Sequence, residues 1–185
     1  TGSGENKSGN FAVYGTWTGE RGQYVDLIAK VGRVANEFNA ANAWGNVRAT
    51  GGYHTWGESI SAEYGRRFKT DGSFYFEPQV ELTFGRLNGA DYDMASNGYG
   101  TLHVRQSGLS SAIGRLGIAL GQETEKATWF VKASLYHEFA GNMDTAWEVA
   151  GNPTKYTRQE GKDTWLALQL GGTVKLNEGL SLYGD

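Results

Sequence analysis

Three side chains within one stretch, Asp91, Asp93 and His103, are of the types that could carry out acid and base chemistry. A histidine supported by carboxylates could activate water for hydrolysis. The dipeptide His137-Glu138 invites the same reading. However, in an extended strand neighbouring side chains point to opposite faces, so these two cannot act on one substrate atom. The histidines His54 and His103 have no cysteine partner and no metal-ligand spacing, so the sequence argues for no metal site. The pairs Gly2-x-Gly4 and Gly98-x-Gly100 lack the strand-to-helix setting a phosphate loop needs. No cofactor and no enzymatic role are expected.

What must position these groups is a series of β-strands. Across residues 74–84 the even positions are apolar or Pro and most odd positions are polar, the pattern of a strand with two unlike faces. Comparable alternation predicts strands at 11–17, 24–34, 59–68, 111–122, 129–139 and 166–176, and an eighth beginning at 180. Residues 1–9 read as a polar, flexible lead, so strands run from about residue 10 to 185 within one domain spanning 1–185. The last strand stops after a few residues, and the chain reads as a fragment.

Connections alternate in length. Short ones, at residues 19–22, 70–72, 122–127 and 177–179, suit tight turns. Long ones fall between, at 35–57, 88–108 and 140–163. Short turns at one end and long loops at the other are the plan of an outer-membrane barrel. Strands of about 10 residues, rising about 3.3 Å each with a tilt near 40°, span about 25 Å, the height of a barrel's apolar band. The expected fold is therefore an all-β, transmembrane, antiparallel up-and-down barrel, with about eight strands in this chain. Aromatic girdles are expected from Trp17, Tyr24, Phe74 and Trp129 near the short turns, and from Trp56, Phe139 and Trp165 near the long loops.

Composition agrees. There are 28 Gly, 2 Pro and no Cys, which removes disulfides and thiolate metal sites. A formal charge of -3, with Lys and Arg scattered along the chain, argues against a nucleic-acid partner, which requires a concentrated basic face. The polar faces place Asp26, Lys30, Glu63, Arg67, Glu77, Gln79, Glu81, Arg115, Lys132, Tyr136, Glu138, Gln169 and Lys175 in a lumen of mixed sign. They serve there as a hydrophilic lining, as a structural ion-pair network, or as both. Pro78 predicts a bulge or a missing ladder bond, and the strand glycines, Gly65 among them, predict curvature or contact with a neighbouring ring. Two other readings remain open. One is a barrel hydrolase using Asp91, Asp93 and His103. The other is a soluble ligand-binding barrel in which Leu166, Leu168 and Leu170 point inward.

Particular strings narrow this further. Phe74-Tyr75-Phe76-Glu77-Pro78-Gln79 followed by Leu82-Thr83-Phe84-Gly85-Arg86, then Ile113-Gly114-Arg115-Leu116-Gly117, then Val131-Lys132-Ala133-Ser134-Leu135-Tyr136-His137-Glu138-Phe139, and finally Ser181-Leu182-Tyr183-Gly184-Asp185 occur in this order. Together they resemble the C-terminal β-domain, or translocator barrel, of type Va autotransporters. The resemblance implies a twelve-strand barrel in the outer membrane of a Gram-negative bacterium, of which this chain would hold strands four to eleven. It implies a monomer that is inserted by the barrel-assembly machinery, contacts outer-membrane lipid and encloses a pore helix that is expected to lie outside this chain. Its implied role is to anchor a covalently attached N-terminal passenger and permit its secretion to the cell surface.

Overall fold

The computed structural model describes residues 1–42, 44–70, 72–177 and 179–185. Asp71 and Glu178, assigned above to tight turns, and Ala43, in a long connection, lie outside the described residues. The described residues form one antiparallel sheet of thirteen strands. These are β1 (Gly2–Thr18), β2 (Gln23–Ala41), β3 (Arg48–Arg66), β4 (Phe68–Lys69), β5 (Phe74–Leu87), β6 (Ala90–Ser96), β7 (Gly100–Gln106), β8 (Leu109–Glu123), β9 (Ala127–Glu138), β10 (Met143–Val149), β11 (Lys155–Gln159), β12 (Thr164–Asn177) and β13 (Leu180–Gly184).

The main path runs β1, β2, β3, β5, β8, β9, β12, β13, which matches the eight strands expected from alternation. Three features differ from the sequence reading. The lead at residues 1–9 is paired: Gly2 to Gly9 oppose Ala40 to Arg33 in register. A ladder needs backbone donors and acceptors, not apolar side chains, so polarity alone does not mark a flexible segment. The loops at 88–108 and 140–163 contain the hairpins β6–β7 and β10–β11. These branch from the upper half of β3 in the order β3, β6, β7, β10, β11. The connection at 35–57 is also mostly strand, because β2 and β3 pair without interruption from Gln23↔Arg66 to Ala41↔Arg48.

Pro78 coincides with a break in the ladder. β3 pairs with β5 as far as Gly65↔Gln79, and pairing resumes as β4 at Phe68↔Phe76. In the gap the Arg67 amide donates instead to the Gly22 carbonyl at 2.8 Å. This is the missing bond expected at a proline, without an inserted residue.

Polarity is inverted relative to a water-soluble protein. The buried apolar residues are Tyr75, Met94, Val104 and Ala119 alone among the described residues. In contrast, Glu77, Arg115, Ser134 and Glu138 are buried. Leu166, Leu168 and Leu170 are exposed, Leu168 at 74%, which overturns the soluble-barrel alternative. An apolar side chain turned outward on strands of this length is stable only against lipid. The substitution Leu168→Arg should therefore cost about 2–4 kcal/mol near mid-membrane. The expected readout is a lower folded fraction on heat-modifiable gels, whereas Tyr156→Arg, on the short loop strand β11, should leave that fraction unchanged.

Candidate functional site: the polar face

Period-2 geometry collects the charged residues on one side of β2, β3, β5, β8 and β9. Glu63 and Glu81 are cross-strand partners, and Glu81 also opposes Arg115. Two carboxylates opposite one another repel unless a cation lies between them. Arg115 is that cation: Nη2 lies 2.6 Å from Glu63 Oε2, and Nε lies 2.7 Å from Glu81 Oε2. Its Nη1 donates to Gln79 Oε1 at 2.9 Å and reaches Ser134 Oγ at 3.5 Å. With a residue exposure of 3%, its charge is held by a fork of donors matched to these acceptors.

A second cluster adjoins it toward the short turns. Arg67 Nε donates to Glu77 Oε2 at 2.6 Å. Gln79 Nε2 donates to Glu77 Oε1 at 2.7 Å and to the Tyr24 hydroxyl at 3.0 Å. That hydroxyl donates to Glu63 Oε1 at 2.7 Å and lies 3.1 Å from Glu77 Oε1. The Tyr24 ring crosses over Gly65, where any Cβ would collide with it, so glycine here is required by the close approach. Tyr24 therefore belongs to the polar face rather than to an interfacial girdle. Its even spacing from Asp26 carried this information. Trp165 departs from the expected girdle in the same way, stacking on Tyr136 with centroids 5.2 Å apart.

The remaining expected residues are placed as follows. Glu138 accepts from the Ser111 hydroxyl and from the Ala112 and Ala140 amides, each amide at 2.8 Å, and so secures the upper end of β9. Lys132 opposes Ala119 and Gln169 in register and forms no ion pair with a described residue. Gln169 Nε2 donates to Asp185 Oδ2 at 2.9 Å, at the far side of the sheet. Asp26 lies beside Glu63 and Glu81 with one buried carboxylate oxygen lacking a partner among the described residues. Lys30 and Lys175 are exposed and form no ion pairs with described residues. The structure thus joins Glu63, Arg67, Glu77, Gln79, Glu81 and Arg115 into one network. It adds Tyr24 and Ser134, which charge alone had not singled out.

His103 sits elsewhere, on β7. Its Nε2 lies 2.8 Å from Asp91 Oδ1 and its Nδ1 lies 2.8 Å from Asp93 Oδ1. Both nitrogens are engaged by carboxylates, a geometry the imidazolium satisfies and one that leaves neither nitrogen free as a base. The hydrogen bond to Asp93, with the charge of Asp91 beside it, holds the His103 pKa above the ordinary histidine value. Its other charged neighbours are Glu148, opposite it in register on β10, and Arg105, two residues along its own strand.

Two outcomes follow. Arg115→Met should destabilise the barrel by about 3–5 kcal/mol, because it leaves Glu63 and Glu81 facing each other unpaired. Adding Glu81→Gln should restore part of the loss in urea unfolding from lipid vesicles. A group whose folded pKa is raised contributes stability that is complete at low pH and is lost as pH rises through that folded value. Protection of the β6–β7 amides from hydrogen exchange should therefore fall as pH rises through the His103 pKa. Asp93→Asn should move that midpoint to lower pH.

The chain matches the Autotransporter beta-domain family over residues 1–185. It is 36% identical over 189 residues to the pertactin autotransporter of Bordetella parapertussis, a match that covers 100% of this chain and 19% of that protein. This chain therefore spans about a fifth of the length of the curated pertactin autotransporters it matches. Among solved structures, the β-domain of the Bordetella autotransporter BrkA superposes with a TM-score of 0.67 at 27% identity, covering 97% of this chain and 65% of that one. The translocator domain of NalP from Neisseria meningitidis shares the fold at a TM-score of 0.68 and 17% identity, covering 99% of this chain and 64% of that one. Family match, strand plan and inverted polarity agree, and the chain belongs to the autotransporter β-domain family, the barrels of the Gram-negative outer membrane.

Proposed function

We propose that the polar face lines a water-filled passage through the outer membrane, and that this domain anchors an N-terminal passenger and permits its export to the cell surface. The observation that carries this reading is the network of buried Arg115 and Glu77 with half-buried Glu63, Gln79 and Glu81 on one face, opposite an outward apolar face. Charges of both signs on the inner wall keep a passage wet, while ion pairing removes much of the cost of holding them away from bulk water. The full lining comprises Asp26, Lys30, Glu63, Arg67, Glu77, Gln79, Glu81, Arg115, Lys132, Tyr136, Glu138, Gln169 and Lys175.

A passage for a peptide needs a barrel wider than eight strands, whose interior is filled by its own side chains. The reading therefore includes pairing of β1 and β13 with further strands, a pore helix attached to the passenger, monomeric insertion by the barrel-assembly machinery, and no chemical step. Asp91, Asp93 and His103 have a structural part in it. They link β6 to β7 above the membrane, where the imidazole is already engaged on both nitrogens.

The test uses the full-length protein in intact cells with an epitope in the passenger. The expected result is removal of the epitope by added protease, together with cleavage within residues 140–163 and a heat-modifiable folded barrel. An epitope that stays protected while the barrel is folded would overturn the proposal.

A further inference from the structure

The outer face carries an apolar groove whose setting differs from the rest of the lipid-facing surface. Two rows of outward side chains cross β1, β2, β3 and β5. Val13, Ala29, Ile60 and Phe84 form the lower row, and Phe11 and Val31 begin the upper one. Between them lies a hollow of about 560 Å³, opened where Ala29 stands among larger neighbours. Its floor is backbone at Lys30, Ser59 and Gly85, one continuous register row whose side chains turn the other way.

The upper row ends in charge. Val31 opposes Glu58, and Glu58 opposes Arg86. One row farther out, Arg33 opposes Trp56 on the same face. Arg33 lies ten residues above the start of β2, about 25 Å at the usual rise and tilt, which is the upper edge of the apolar band. All four side chains are exposed, and neither Arg33 nor Arg86 forms an ion pair with a described residue. β2 and β5 are separated by two strand spacings, about 10 Å, so two arginine side chains can close on one phosphate between them.

The long-loop end of a barrel faces outward, so these arginines meet the outer leaflet. We propose that this face binds one molecule of a phosphorylated glycolipid of that leaflet, with an acyl chain in the Ala29 groove and a headgroup phosphate held by Arg33 and Arg86. The groove supplies the apolar contact and the planar guanidinium groups supply bidentate donors to phosphate. Glu58 stands between the arginines and repels a bare anion. It accepts hydrogen bonds from a headgroup hydroxyl or amide, and the three side chains together retain one net positive charge. Trp56 beside them has the amphipathic ring favoured at the membrane boundary. The inference rests on placement in the outer membrane and is independent of whether a passenger moves through the barrel.

The test is native mass spectrometry of the full-length protein extracted from outer membranes in mild detergent. One retained phosphorylated glycolipid per protein is expected. Arg33→Ala with Arg86→Ala should lower its occupancy by about tenfold or more, as expected for the loss of two charge-assisted contacts. Arg158→Ala, on β11 above the membrane, should retain it. Heat-modifiable mobility establishes that each variant is folded. Should the double variant fail to fold, Ala29→Trp, which fills the groove and keeps both arginines, must lose the lipid for the proposal to stand. Absence of the lipid from the unaltered protein, its full retention in the folded double variant, or a glycerophospholipid in its place would each overturn the site.

Discussion

Among the described residues the buried apolar side chains are only Tyr75, Met94, Val104 and Ala119, so the membrane-crossing strands are not held by a core of the kind that water drives together. Their integrity depends instead on satisfying polar groups in a place where water cannot do so. In hydrocarbon an unpaired backbone amide or carbonyl costs several kcal/mol, so the long ladders between neighbouring strands are obligatory. The side chains inherit the same demand. Every second residue on a membrane strand must be apolar, and the alternate ones are left to face each other, which is why so many charges end up paired on one face.

Within that face the arrangement is economical in its geometry. The register sets Glu63 against Glu81 and Glu81 against Arg115, so one guanidinium resolves the repulsion of two carboxylates and bridges β3, β5 and β8. Tyr24 links the same Glu63 to Glu77, and Arg67 neutralises Glu77 at the point where Pro78 leaves the β3 ladder open. The weak place in the backbone is therefore spanned by side-chain bonds. The break also frees the Arg67 amide to hold the β1–β2 turn through Gly22, which adopts a positive φ of 77°.

Much of this was legible in the sequence because the membrane enforces a strict period. Residues 74–84 state their own orientation, since Phe84 is exposed and Glu77 buried as their parity requires. The sequence was less informative where the local signal was shared by two environments. A tyrosine or tryptophan near a strand end suits a membrane boundary and a polar interior equally, and for Tyr24 and Trp165 only their even spacing from Asp26 and Gln169 marks the polar face on which the structure places them. The partners of Arg115 could not be anticipated by spacing at all, because they come from β3, β5 and β9, and only the register brings them together.

The hairpins β6–β7 and β10–β11 show the same constraint in reverse. They alternate as regularly as the membrane strands, but in segments of seven residues or fewer, too short to cross a bilayer, and so they read as loops. Above the membrane both environments of the wall change. Met94 and Val104 turn inward and are buried, and Tyr92 stacks on Tyr53 with centroids 4.9 Å apart. On the opposite side lie Asp91, Asp93, His103 and Arg105, joined to Glu148 by a 3.2 Å ion pair from Arg105. Along one continuous sheet, then, the apolar side faces outward at Ile60 and inward at Met94. The height of that reversal is set by where lipid gives way to water. Glu58, Arg86 and Arg33 mark it on the outer face, and the residues that make the loops fold as a water-soluble sheet begin above it.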